Sequence, residues 1–201
     1  DKSNISSRII KIAIISVFLG VFISLCSISI GKGIQISIKD KLYSLNPDLV
    51  VSTYENNIRG IASEKINNLD KVDFQIRNAF PDLKIEYLIE KPTLISNNSS
   101  FESIIFKGVS SGYDLQKMNK FIINSKISDK LSNNEIIISR LTADKLDIEK
   151  GDDIILYFQT SNNQKIPNVR SYSVKHIFDS DFPDFDNNYL IGNAQSLQSI
   201  Y

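Results

Sequence analysis

The sequence predicts an α+β protein: a long N-terminal helix that crosses a membrane, followed by a mixed domain of strands and short helices. Three observations carry this. Positions 12 to 30 hold no charged residue, and twelve of those nineteen are Ile, Val, Leu or Phe. Beyond Pro47, short apolar runs alternate with polar turn clusters, ordering as strand, helix, strands and then a strand-rich half. Hydrophobic residues make up 42% of the chain, enough for a core, which argues against a wholly disordered protein.

Composition narrows the function classes. Twenty-three basic side chains balance 23 acidic ones, whereas an electrostatically driven nucleic-acid binder needs a basic excess on at least one face. One cysteine excludes an internal disulfide framework and a cysteine-based zinc site, and one histidine excludes a His-rich metal centre. At 201 residues there is room for one ordinary domain, or a smaller one plus an anchor. The chain opens on Asp1 and not Met, so it is expected to begin inside a longer product.

The uncharged run spans roughly 29 Å as a helix, close to the hydrocarbon thickness of about 30 Å. Its twelve large apolar residues contribute an insertion term of order −5 kcal/mol. Lys2, Arg8 and Lys11 precede it as they would precede a signal peptide. Signal h-regions, however, run about 7–15 residues, and no A-x-A site follows here. Leu25 is too bulky for the position before a lipoprotein Cys26, and the run continues past it. A retained membrane helix is the expectation. Lys32, Lys39 and Lys41 on the far side leave the positive-inside rule tied, so charge alone gives no orientation. Ser16, Gly20 and Ser24, four apart, form a small-xxx-small stripe suited to helix packing, although serine is frequent throughout the chain.

Past the membrane, Ile34, Ile38, Leu42 and Leu45 keep helical spacing until Asn46-Pro47 closes the run. This predicts an amphipathic stalk whose stripe, Ile34, Ile38 and Leu42 above all, packs on its own domain or on a partner helix. Asp48 to Tyr54 reads as a strand. Leu69, Val72, Ile76 and Phe80 mark a helix ending at Pro81. Leu83 to Ser96 and Phe101 to Val109 read as strands joined across Asn97-Asn98-Ser99-Ser100. A short helix is expected over Tyr113 to Ile123, a strand over Glu135 to Ser139 and a helical turn or two over Arg140 to Leu146. Strands over Asp153 to Gln159, Ser171 to Phe178 and Asn187 to Ile191 follow, and Ala194 to Ile200 begins a helix.

No catalytic, cofactor or metal site emerges. The chain lacks G-x-x-x-x-G-K-[ST], and Gly31-x-Gly33 lacks the third glycine and follows a membrane helix instead of a strand. His176 has no G-x-S-x-G companion and alternates with apolar neighbours, so it reads as structural. Asp179, Asp181, Asp184 and Asp186 do not fit a calcium loop, which wants Gly at position six and Glu at twelve where Asp184 and Leu190 stand. A solvated acidic turn is expected there. Asn4, Asn97 and Asn98 open N-x-S sequons of little weight on their own. Between two strands, Thr160 to Arg170 reads as a hairpin loop. Ile166-Pro167 forms an apolar tip that binds at small ordering cost, and Lys165 and Arg170 beside it favour an acidic partner surface.

A linear pattern remains. Residues 106–115 read F-K-G-V-S-S-G-Y-D-L, residues 134–152 read N-E-I-I-I-S-R-L-T-A-D-K-L-D-I-E-K-G-D, and Ser173 onward gives S-V-K-H-I-F-D-S-D-F-P-D-F-D-N-N-Y-L-I. This order resembles the MacB-like periplasmic core domain of the FtsX-type ABC transporter permeases, most of all the lipoprotein-releasing LolC/LolE group. The likeness covers essentially the whole chain, and the middle motif is the most specific. Physically that motif is a buried strand, a short helix packed back through Ala143 and Leu146, and a turn at Gly151 stabilised by Asp152. Lys175-His176 departs from the family glycine before Ile177, so the strand is expected to bend differently there.

The resemblance implies a non-catalytic permease subunit without a cofactor. It implies a cytoplasmic end and first transmembrane helix over 1–32, a helical stalk over 33–46, and a periplasmic core domain over 47–201, truncated at its C-terminal end. It places the chain in a bacterial inner membrane with its N-terminus cytoplasmic. Its partners would be a cytoplasmic ATPase subunit, a second permease subunit in a homo- or heterodimer, and a periplasmic lipoprotein carrier. In one permease of that group the hairpin corresponding to Thr160–Arg170 recruits the carrier, though the loop here is shorter. Alternatives within the superfamily are a MacB-type exporter and an FtsX-type regulator of cell-wall hydrolases. From another class, a single-pass anchored binding or sensor domain stays open; further apolar runs downstream, beside a gene with a P-loop, would eliminate it.

Overall fold

The structure is a computed structural model that describes residues 2–47, 49–53, 66–97, 100–127, 130–159 and 167–198, without the side chains of 2–6 and 198. The chain divides into two compact units, Asp1–Asp48 and Leu49–Tyr201.

The first unit is one helix, α1 (Lys2–Leu45), of 44 residues. With no proline to break the hydrogen-bond ladder, it runs unkinked in sequence terms for about 66 Å. Its part Ser7–Leu45 is long and apolar enough to cross a membrane. Since about 20 residues suffice for a crossing, a crossing here would leave about half of the helix outside the hydrocarbon.

The second unit is built on a closed six-stranded barrel, a closure the strand list did not anticipate. Its strands are β1 (Leu88–Asn97), β2 (Ser100–Val109), β3 (Glu135–Ser139), β4 (Asp153–Phe158), β5 (Asn168–Phe178) and β6 (Tyr189–Asn193). They close in the order β1-β2-β6-β3-β5-β4. The β2–β6 and β3–β5 pairs are parallel and the others antiparallel, with β4 returning to β1 through Thr93–Phe158 to Ser96–Ile155. Closure pairs both sides of most strands and so removes exposed edges.

Alternation sends Ile95, Ile104, Phe106, Ile136, Ile138, Ile154, Leu156, Phe158, Tyr172, Val174 and Leu190 into one buried cluster. The rings of Phe106, Phe158 and Tyr172 meet there, with centroids 5.5 to 6.4 Å apart. The interior is therefore a filled core and not a channel. Helix α3 (Arg140–Leu146) adds Ala143 and Leu146 to the same cluster, as its spacing predicts. Gly151 has φ +100°, in the region that favours glycine, and the Asp152 carboxylate accepts from the Glu149 N–H at 2.8 Å to finish that turn.

Several elements depart from expectation. Residues 49–53 form no strand, and Leu49, Val50 and Val51 are exposed; Tyr54 lies outside the described residues. A run of β-branched residues has no strand to form without a ladder partner. β1 starts at Leu88, not Leu83. The stretch Tyr113–Ile123 contains a 3₁₀ turn, Leu115–Lys120, capped by the Asp114 carboxylate on the Gln116 N–H. Helix α2 (Leu69–Ala79) forms where predicted, yet none of its residues is fully buried. Short helices α4 (Pro183–Asp186) and α5 (Gln195–Gln198) flank β6.

Strand β5 bends where Lys175-His176 stands. Ile136 pairs with Val174 and Ile137 with His176, so Lys175 is an extra residue, a β-bulge. Val174 and Ile177 both face the core cluster across this phase change, which turns His176 and Phe178 to the outer wall.

Candidate functional site

Helix α1 carries the first candidate face. At 3.6 residues per turn, the positions from 12 to 31 inside one arc of about 80° are Ala13, Ser16, Gly20, Ser24, Ser27 and Gly31. Every one is small, while the other positions are large and apolar apart from Cys26 and Ser29. The hydroxyls of Ser16 and Ser24 donate to the carbonyls of Ile12 and Gly20, at 2.9 and 2.8 Å. Their hydrogen bonds are thus met within the helix, and the face offers close approach, not polar adhesion. A Cβ added at Gly20 or Gly31 would meet nothing within 4 Å among the described residues.

Ile34, Ile38 and Leu42 continue the same arc past the uncharged run. They are 56%, 49% and 37% exposed and share a shallow groove with Gly31, Gln35, Lys39 and Tyr43. The ammonium of Lys39 lies 5.3 Å from the Tyr43 ring centre and flanks the stripe.

The second candidate, the loop before β5, is partly placed. Lys165 and Ile166 lie outside the described residues, and Pro167 is exposed. Arg170 pairs with Leu156 in the β4–β5 ladder and is half-buried. It lines a polar cleft of about 190 Å³ with Asn133, Asn134, Ser171, Tyr172, Gln195 and Ser196.

The three motif segments converge on one outer wall of the barrel, a meeting that no spacing in the sequence reveals. Lys107, the lysine of F-K-G-V, is 2% exposed, with its ammonium 5.5 and 5.7 Å from the ring centres of Phe185 and Tyr189. Burial holds its pKa below the usual lysine value, and Glu90, opposite it on β1, pulls the other way. Such a face-on cation is stabilised by the ring quadrupoles. Ser139 ends β3 and caps α3: its hydroxyl accepts from the Thr142 N–H at 3.1 Å and donates to the Asp186 carbonyl.

Asp186 is not solvated as the acidic spacing suggests. It is 2% exposed, and its carboxylate accepts from the Ser180 hydroxyl at 2.6 Å and the Ser180 N–H at 3.2 Å. Burial raises its pKa, with the Ser180 hydrogen bonds opposing. The alternation of Ser180 and Asp186 around an apolar Phe182-Pro183-x-Phe185 was the available signal. Among the described residues, no group of three His, Cys, Asp or Glu is arranged to hold a metal ion. The convergence binds the motifs to each other through Lys107, Ser139 and Asp186.

No family model matches the chain. No curated protein matches it. Among solved structures it is similar, at 13% identity and a TM-score of 0.42, to the extracellular domain of the noncanonical ABC-type transporter YknZ from Gram-positive bacteria. The likeness covers 65% of this chain, which spans 64% of the length of that one.

Proposed function

We propose that this chain is the membrane-anchored permease part of an ABC-type transporter. In this reading α1 crosses a bacterial cytoplasmic membrane with its N-terminus inside, and the barrel unit lies outside. The observation that carries it is the continuous face of α1, small within the apolar run and apolar beyond it. A lone lipid-facing anchor gains nothing by confining Ala, Ser and Gly to one arc, because lipid tails pack equally well on Leu. An exposed Ile34–Ile38–Leu42 stripe outside the bilayer also favours cover, at about 25 cal/mol per Å² of apolar surface removed from water. One partner helix running past the membrane surface meets both requirements.

The order of the three motifs supports the FtsX-type reading. In that reading a cytoplasmic ATPase subunit hydrolyses ATP, and a second permease subunit supplies the partner helix. ATP-driven closure then moves α1 as a stiff lever, since no proline absorbs the bend. The finer assignment, release of lipoproteins to a periplasmic carrier, rests on the motif resemblance. The test is affinity purification of the tagged chain from its native membrane in mild detergent. Recovery of a stoichiometric P-loop ATPase is expected; a lone monomer or homodimer without one overturns the proposal.

A further inference from the structure

The bulge at Lys175 places the one histidine of the chain under a strap. His176 shares the outer wall with Ile137, and the segment Phe121–Ile127 crosses over it. Three contacts fasten this segment to β5 and its end. The Asp179 N–H donates to the Phe121 carbonyl at 2.9 Å, the Ile123 N–H donates to the Ile177 carbonyl at 2.9 Å, and Ser125 Oγ lies 2.8 Å from His176 Nδ1. Asn124, at φ 53°, makes the turn that brings Ser125 back to the ring. Asn119 closes the far end, accepting from the Ile127 N–H at 2.6 Å and donating to its carbonyl at 3.2 Å. Under this cover His176 is 7% exposed.

The charged groups facing the ring are Lys150 from the turn between α3 and β4, Lys175 on β5 and Glu135 on β3. Glu135 is already held by the Lys175 ammonium at 2.7 Å, so it is a poor counter-ion for a second cation. Burial first, then the two lysines, hold the imidazole below its ordinary pKa, with Glu135 opposing.

We propose that Phe121–Ile127 is an acid-released flap, opened from the barrel wall when His176 takes up a proton. An imidazolium needs water, and burying it without a counter-ion is costly. The Ser125 contact alone does not fail on protonation, because the hydroxyl oxygen accepts from an Nδ1–H. What fails is the cover over a buried cation that has no counter-ion of its own. Two backbone hydrogen bonds hold the flap, whereas β5 around His176 is held by its ladder with β3 from Glu135–Ser173 to Ser139–Phe178, so the flap is the element that yields. The sign follows from linkage: a base whose folded pKa is depressed stabilises the closed form above pH about 6.5 and loses that contribution as pH falls through the folded value. Release uncovers Phe121 and Ile127, which are 8% and 4% exposed when closed. The device thus presents an apolar surface in acid and hides it at neutral pH.

The experiment is hydrogen–deuterium exchange by mass spectrometry on the full chain in detergent at pH 7.5 and 5.0, corrected for intrinsic exchange rates. Amides of 121–127 are expected to exchange about tenfold faster or more at pH 5.0, while β3 keeps its protection. His176→Gln, which offers Ser125 a polar partner but takes no proton, is expected to show equal flap protection at both values. Flap protection unchanged by pH in the wild type, or the same acid loss in His176→Gln, overturns the proposal. Should that variant fail to fold, the imidazole C–H resonance of the wild type decides. A midpoint below 6.5 that coincides with the shift of the flap amides supports the flap, and a midpoint at or above 6.5 overturns it.

Discussion

The ring of Phe106 fills the space where a side chain on Gly192 would stand. A Cβ built on Gly192 would lie 2.2 Å from the ring's Cζ and 2.9 Å from both Cε atoms. Phe106 of β2 is fully buried between Phe158 and Tyr172, so its ring has no direction in which to retreat. Gly192 of β6 faces the interior two residues after Leu190, level with Gly108 in the β2–β6 ladder. At Gly108 the backbone itself sets the limit: a Cβ would come 3.0 Å from Ala194 Cα. The glycines of β2 and β6 thus serve contact and not turning, and the barrel closes around one large ring because one strand gives up a side chain.

Gly192→Ala is accordingly expected to destabilise the barrel unit by about 1–3 kcal/mol through overpacking. Phe106→Leu in the same chain should recover part of that loss, since the shorter side chain vacates the contested space. Thermal unfolding followed by near-ultraviolet circular dichroism of the tyrosines measures both, and a non-additive double-mutant cycle is the expected result. Additive effects would show that the two positions do not meet.

Ser139 joins two of the sequence motifs in one side chain. Ser139→Ala removes the α3 cap and leaves the Asp186 carbonyl without its hydroxyl donor. A loss of about 1–3 kcal/mol is expected, against less than about 0.5 kcal/mol for Ser103→Ala at an exposed barrel position. Equal melting of the two variants would mean that the docking of α3 on α4 contributes little.

Local signals made much of this legible in the sequence. The strand Glu135–Ser139 and helix Arg140–Leu146 form at the expected residues, because Ser139 is a good N-cap and the apolar periods change from two to three-and-four at that point. The β1–β2 hairpin follows its Asn-Ser turn cluster. Closure was not legible: it depends on Thr93 to Ser96 meeting Ile155 to Phe158, about sixty residues away, and the alternation that makes either strand is indifferent to its neighbour. Asp186 misled for a related reason. A run of aspartates reads as solvated unless the fold brings a buried serine to one of them. The face on α1 was only half seen as three residues, since its extent becomes clear when the helix is continuous from Ala13 to Leu42.

Two carboxyl groups should respond to acid in opposite senses. Glu135 is held below its ordinary pKa by the Lys175 ammonium and then by the Ser132 N–H, so it contributes stability above the ordinary Glu value that is lost as pH falls through its folded one. Asp186 is raised by burial, so its ionised form opposes folding at neutral pH and that opposition fades as pH falls. Glu135→Gln is therefore expected to lower stability at pH 7 by less than about 1 kcal/mol, as partly exposed ion pairs do, and to flatten the decline below pH about 4.3. Denaturant midpoints between pH 3 and 7 check this, and an unchanged acid limb would show that the pair is not held in solution.

The last prediction concerns the face on α1 and separates a partnered helix from a solitary anchor. Gly20 sits at the centre of the small arc, and a Cβ added there meets nothing within 4 Å among the described residues. Val21, one residue on, points about 100° away among large apolar residues. Gly20→Leu and Val21→Leu thus give the membrane the same new side chain, and both preserve insertion. If the arc seats another transmembrane helix at close approach, Gly20→Leu alone pushes the two backbones apart, and recovery of the assembled complex should fall several-fold relative to Val21→Leu. The stalk gives the companion test: Ile38→Asp places a carboxylate on the same arc outside the apolar run. It is expected to leave the complex assembled and the ATPase active while transport falls, because the lever has lost its seat on the partner. Equal recovery of the two leucine variants, with normal transport by Ile38→Asp, would reduce α1 to an anchor whose small residues face lipid.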